Sequence, residues 1–77
     1  MEKVKIGAIY EHYKGKKYKV LSIGRHSEDL KLYVVYQGLY NCESFGENPI
    51  WIGPLDMFVE SIMINGSETA RFKEISY

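Results

Sequence analysis

No stretch of ten or more residues in this chain keeps an apolar repeat of 3.6 residues before a glycine, a proline or a turn interrupts it. Short runs rich in Val, Ile and Tyr alternate with turn residues instead, which is the pattern of strands. The clearest run is Leu32 to Leu39. Leu32, Val34 and Tyr36 share one face of it, and Tyr33, Val35 and Gln37 the other. Gly38 near its end allows a bulge.

The remaining pieces fall around this strand. Ala8 to Tyr13 reads as a strand, Lys14-Gly15-Lys16 as a turn that uses the freedom of glycine, and Tyr18 to Ile23 as the return. The return strand has apolar residues on both faces, as in a strand passing between two packing environments of a strongly bent barrel. Gly24 to Asp29 reads as a polar loop and Asn41 to Pro49 as a second, irregular one. Ile50 to Ile52 is a short strand that Gly53-Pro54 breaks, and Leu55 to Phe58 forms one helical turn plugging a barrel end. Val59 to Ile64 and Thr69 to Ile75 are strands joined through Asn65-Gly66, a strong type I′ hairpin signal. The expectation is one all-β domain over residues 1–77, a small closed SH3-like barrel of five or six short strands with one short helical turn. An OB-like barrel fits less well, because it needs a long helix between its middle strands.

Size limits what such a barrel can hold. A chain of 77 residues buries only about 60% of the surface its unfolded state exposes. The core is small, a deep catalytic cleft has little room, and a homodimer sharing apolar surface is a natural remedy. The single cysteine, Cys42, makes no internal disulfide, whereas small secreted domains carry several. No signal-peptide core or membrane-length apolar run is present. The expectation is a cytoplasmic protein with no membrane partner.

Ten basic and ten acidic residues cancel, but the first 25 residues carry seven of the basic and only two of the acidic ones. Within them, Lys14, Lys16, Lys17 and Lys19 surround a hairpin turn next to Tyr10, Tyr13 and Tyr18. Lysines that neutralise phosphates and rings that stack on bases make a nucleic-acid surface. We keep Tyr13, Lys14, Lys16, Lys17 and Lys19 as that alternative. Against it stand the zero net charge, far from the basic footprint of a committed binder, and the ordinary use of edge lysines against sheet-to-sheet pairing.

Catalytic signals are weak. His12, His26, Glu28 and Cys42 lack metal-ligand spacing. Cys42 sits beside Glu43, which disfavours a thiolate. No nucleophile elbow or phosphate-cradling loop occurs. An enzymatic or small-ligand site survives only as a meeting of His12, His26 and Glu28 through the fold, and no cofactor is implied. Tyr36, Tyr40, Trp51, Pro54 and Phe58 offer an aromatic groove for an extended peptide, although Trp51 and Phe58 also suit the bulk of a small core. Arg25-His26-Ser27-Glu28 either ties its own loop together or reaches a polar ligand.

The stretches GAIYEHYKGKKYKVLSIGRHSE, VVYQGLY, WIGPLDMF and RF, taken in this order, resemble a family of small bacterial domains, domain of unknown function sixteen fifty-three. The resemblance runs from Gly7 to Phe72. It rests on Gly7, Tyr10, His12, Tyr13, Lys14 and Gly15 in the first hairpin, and on Arg25, His26, Ser27 and Glu28 in the polar loop. It continues through Tyr36, Gln37, Leu39 and Tyr40, then Trp51, Pro54, Leu55, Met57 and Phe58. The resemblance implies no known reaction. It implies an arginine in relatives where this chain has Gly53, and a shorter loop than Asn41 to Pro49. If that arginine binds an anionic ligand in relatives, the activity would be lost or altered in this chain.

The leading functional expectation is a non-catalytic binding or adaptor module. Its aromatic and charged surface would comprise Arg25, His26, Glu28, Tyr36, Gln37 and Trp51, facing a protein, a peptide or a small polar ligand. If His12, Arg25, His26, Glu28, Gln37 and Trp51 converge, they mark one site.

Overall fold

The computed structural model describes residues 4–76. Five strands form an antiparallel sheet in the order β6-β3-β2-β1-β9. These are β1 (Ile9–His12), β2 (Lys17–Arg25), β3 (Leu32–Gly38), β6 (Ile50–Pro54) and β9 (Phe72–Ser76). Two small hairpins stand off it: β4 (Asn41–Cys42) with β5 (Gly46–Glu47), and β7 (Ser61–Ile64) with β8 (Ser67–Ala70). The one helical turn, α1, spans Leu55–Phe58. Among the described residues no helix is long and apolar enough to cross a membrane.

The protein is all-β, with a single helical turn among the described residues. The last strand returns to lie beside the first, so the sheet curls, but β6 and β9 remain its two edges and the ladder does not close. The expected closed barrel is therefore an open one. The gap is filled by side chains. Phe58 of α1 stacks flat on Phe72 of β9, with centroids 4.0 Å apart and planes 4° from parallel. It meets Tyr36 of β3 and Tyr10 of β1 edge-on at 5.3 and 5.4 Å. Phe58 thus joins the core of Val4, Ala8, Tyr10, Val20 and Val34.

Local sequence explains most elements. Asn65 and Gly66 have φ of 52° and 82°, the two positive values that a type I′ turn needs. Gly15, at φ 105°, donates its N–H to the His12 carbonyl at 2.7 Å and closes the first hairpin. The two-faced apolar pattern of β2 resolves into a bulge. Val20 pairs with Tyr36 and Ser22 with the adjacent Val35, leaving Leu21 as the extra residue. The change of parity lets both Val20 and Ile23 pack toward the core.

Four expectations change. Gly53-Pro54 does not break β6; both residues stay in register with β3, because on an edge strand the missing proline N–H removes no ladder bond. Asn41 to Pro49 is a miniature hairpin rather than a loop. Gly38 is in regular pairing with Tyr18 and makes no bulge. The expected strand from Thr69 to Ile75 is two strands that part at Arg71. The Arg71 N–H donates to the Glu60 carbonyl at 3.1 Å, while its own carbonyl accepts from the Tyr13 N–H at 2.9 Å. One ladder ends on its nitrogen and the other begins on its oxygen.

The two charge-biased halves of the sequence meet in space. Glu11 pairs with Lys73 across β1 and β9, and Lys5 lies 3.4 Å from Glu74.

If Phe58 closes the gap between the sheet edges, Phe58→Ala should destabilise the domain by about 3–5 kcal/mol. Met57→Ala, on the same turn but 49% exposed, should lose less than about 1 kcal/mol. Equilibrium urea denaturation of the two variants checks the contrast.

Candidate functional site

Register decides which side chains share the concave face. Tyr18 lies opposite Tyr10 and Gly38, Tyr36 opposite Val20 and Trp51, and His12 opposite Phe72. Side chains on directly paired residues stand on one face. Between this face, α1 and the start of β9 is a cavity of about 270 Å³. Tyr18, Tyr36 and Trp51 form its sheet wall; Pro54, Met57 and Phe58 form the helical wall; His12, Arg71 and Phe72 close the far side. The rings meet edge to face. Tyr18 is 5.2 Å from Tyr36 and 5.7 Å from Phe72, and His12 is 4.9 Å from Phe72. Edge-to-face contact is the favoured geometry for such pairs and fixes ring orientation.

A hydrogen-bonded relay behind the sheet wall holds it in place. Trp51 Nε1 donates to the Tyr40 hydroxyl at 3.1 Å, and the Tyr18 and Tyr40 hydroxyls lie 3.1 Å apart. Burial, and then the bond to Tyr40, push the Tyr18 phenol well above its ordinary range, so it stays neutral. Burial also raises the Tyr36 phenol, with the nearby Arg71 charge acting against the rise. The Tyr40 ring lies where a Cβ at Gly38 would stand, 2.6 Å from its Cε2. Gly38 is thus the residue that lets Tyr40 reach both partners. Lys16 Nζ caps the outer face of Tyr40 at 4.5 Å.

Two polar side chains close the cavity on the β1–β9 side. Arg71 is held by its backbone in two ladders, and its Nη2 donates to Glu60 Oε2 at 2.9 Å. Its Nε is buried with no hydrogen-bond acceptor among the described residues. His12 Nδ1 accepts the Lys14 N–H at 3.1 Å, so the ring proton sits on Nε2. Burial, then the charges of Arg71 and Lys14, hold its pKa below the ordinary histidine value.

The six residues named for the binding surface do not line one cavity. Tyr36 and Trp51 line the cavity. Gln37 follows Tyr36 on β3 and therefore faces the opposite way; its Nε2 donates to the Asn48 carbonyl at 3.3 Å. Arg25 and His26 border a separate groove with Tyr33, Val35 and Ile52. They tie the loop that carries Glu28. Arg25 Nη1 donates to the Leu30 carbonyl at 2.6 Å, and His26 Nδ1 accepts the Glu28 N–H at 3.0 Å. That bond requires an unprotonated Nδ1, so the 3.7 Å approach of Asp29 to the same nitrogen is proximity rather than an ion pair. Asp29 instead takes the Lys31 N–H and the Tyr33 hydroxyl, both at 2.9 Å. Those bonds, that of Lys31 foremost, depress its pKa.

The enzymatic alternative needed His12, His26 and Glu28 together, but His12 lies in the cavity and His26 in the other groove. Among the described residues no three His, Cys, Asp or Glu side chains gather as a metal site. The nucleic-acid alternative keeps its exposed Lys14, Lys16, Lys17 and Lys19 but loses stacking platforms. Tyr10 is 5% exposed and Tyr18 faces the cavity, leaving only Tyr13 outside.

Arg71 and Phe72 went unread as site residues. The RF pair was visible in the sequence, but only the β1–β9 register brings it to His12. Phe45, on the hairpin expected to be a loop, lies 5.2 Å from Trp51.

Among the described residues the fold is all-β and carries an aromatic-walled pocket. The chain belongs to the family described as Protein of unknown function (DUF1653), whose model matches residues 8–74. A crystal structure of a protein of this family from Bordetella bronchiseptica superposes with a TM-score of 0.82 at 27% identity, covering 97% of this chain and 91% of that chain. No curated protein matches the chain.

Two measurements probe the site. Because His12 is held below the ordinary value near pH 6.5, the unfolded chain takes up its proton first as pH falls. The stability that neutral His12 contributes is present above about pH 6.5 and is lost on acidification toward its folded pKa. Wild type should lose stability between about pH 7.5 and 5.5 that His12→Gln does not, in urea denaturation. Gly38→Ala should displace Tyr40, shift Trp51 emission and destabilise by about 1–3 kcal/mol. Unchanged emission would mean that the relay does not hold the indole.

Proposed function

We propose that this protein is a non-catalytic binding module whose concave-face cavity takes a small ligand with a flat apolar body. One observation carries the reading: the rings around the cavity are locked by partners behind them, yet they face open space. Trp51 is held through Tyr40 and Tyr18 through the same hydroxyl, while both line the cavity. A ring needed only as filling would be buried, as Phe58 is at 4% exposure. Preorganised aromatic walls with a few convergent polar groups are the usual make-up of a ligand site. The volume of about 270 Å³ suits a one-ring ligand, since about 150 Å³ suffices for benzene.

Within this reading Tyr36 and Trp51 contact the ligand. Arg25, His26 and Glu28 stabilise their own loop, and Gln37 braces the β3–β6 edge. The adaptor role belongs to the same cavity only if the ligand is a side chain or chain end of a partner.

The test is a screen of one-ring fragments at about 1 mM, read by amide chemical shifts. Binders should move Tyr18, Tyr36, Gly53 and Phe72 and leave Arg25 to Leu30 still. Trp51→Ala should weaken them about tenfold or more. Fragments that move only the lysine hairpin, or none that bind, would overturn the reading.

A further inference from the structure

We propose that the cavity selects ligands bearing a carboxylate, held by Arg71 with His12 and Tyr36. This inference rests on the binding-module reading and specifies its chemistry.

The argument is a count of hydrogen-bonding capacity at the wall. Arg71 has donors only. One of them is used on Glu60 at 2.9 Å, and Nε is buried with no acceptor among the described residues. A buried donor without a partner is unfavourable; because Nε is closed off from solvent, an acceptor in the cavity meets Arg71 through its remaining guanidinium hydrogens. His12 uses Nδ1 to accept the Lys14 N–H, which leaves Nε2–H as its remaining polar group, a donor. The Tyr36 hydroxyl can also donate, and no protein partner for it occurs among the described residues. The other polar groups at the wall are already committed, Trp51 Nε1 and the Tyr18 hydroxyl both to Tyr40. No carboxylate lines the cavity; that of Glu60 is turned to Arg71.

The polar side of the cavity is thus rich in donors and contains a fixed guanidinium. A carboxylate matches it in charge and in acceptor number. Aromatic walls alone would equally suit a quaternary ammonium, but Arg71 on the wall opposes a cation. The flat rings then contact the ligand body while the β1–β9 side holds the oxyanion. A free small acid and the carboxyl end of a peptide offer the same chemistry.

The experiment compares three probes that share one ring: benzoate, benzyl alcohol and benzyltrimethylammonium. Binding is read by Trp51 fluorescence and amide shifts. Benzoate should bind about tenfold or more tightly than either of the others. The double variant Arg71→Gln/Glu60→Gln, which leaves no unpaired charge, should erase that preference while keeping the circular dichroism of the fold. If benzyl alcohol or the ammonium binds as well as benzoate, the pocket stands and the carboxylate inference fails. If none of the three binds, the pocket reading fails and takes this inference with it. A preference for benzoate that survives in the double variant also overturns it. Should the double variant unfold, Arg71→Lys replaces it, with benzoate expected to weaken while benzyl alcohol does not. N-acetylphenylalanine as a fourth probe separates the two sources. Tighter binding than benzoate assigns the carboxylate to a chain end, and weaker binding to a free acid; either supports the inference.

Discussion

The stack of Phe58 on Phe72 joins parts of the molecule that the backbone leaves apart. Five short strands do not complete a ladder, because β6 and β9 remain edges. Closure falls to side chains, and the only residue of α1 that is buried is Phe58. It meets Phe72 at 4.0 Å on one side and Tyr36 and Tyr10 on the other. The cavity exists because this closure is made at one point: beside the stack, the sheet edges stay apart and their rings face each other across open space. The aromatic content of the chain is thus structural first, and the site is what the structure leaves over.

Fold was legible in this sequence where local chemistry decides it. Asn65-Gly66 allows little but a tight hairpin turn, and Pro54-Leu55-Asp56-Met57-Phe58 opens with a residue suited to a helix start. The alternation in Leu32 to Leu39 identifies β3 without help from elsewhere. Errors arose where tertiary pairing overrides local preference. Pro54 reads as a breaker unless one knows that β6 is an edge. The break at Arg71 is invisible in a continuous run of strand formers, because it comes from two different ladders competing for one residue.

The candidate site was half legible for a related reason. Tyr36 and Trp51 could be selected by residue type, and they do lie in one cavity. Arg25 and His26 were selected in the same way, yet their polar atoms turn back onto their own loop. Composition cannot separate a polar cluster that satisfies itself from one that faces a ligand; only the destination of each hydrogen bond can. Arg71 shows the converse. It lies 59 positions after His12 in the numbering and its RF pair does not by itself point to a site, but the β1–β9 register brings the two side by side.

Gly53 ties these strands of reasoning together. It lies on the cavity wall, and a Cβ there would stand 3.7 Å from the Tyr36 hydroxyl, an ordinary contact. The backbone therefore admits a side chain at 53, and whatever stood there would reach over the polar end of Tyr36. An arginine at this position, which the resemblance implies in relatives, would bring a second guanidinium to the cavity wall. This chain has a glycine there, and Phe45 of its Asn41 to Pro49 segment packs on Trp51. Under the carboxylate proposal the guanidinium that meets the ligand is that of Arg71, and Gly53 adds no second one to the wall.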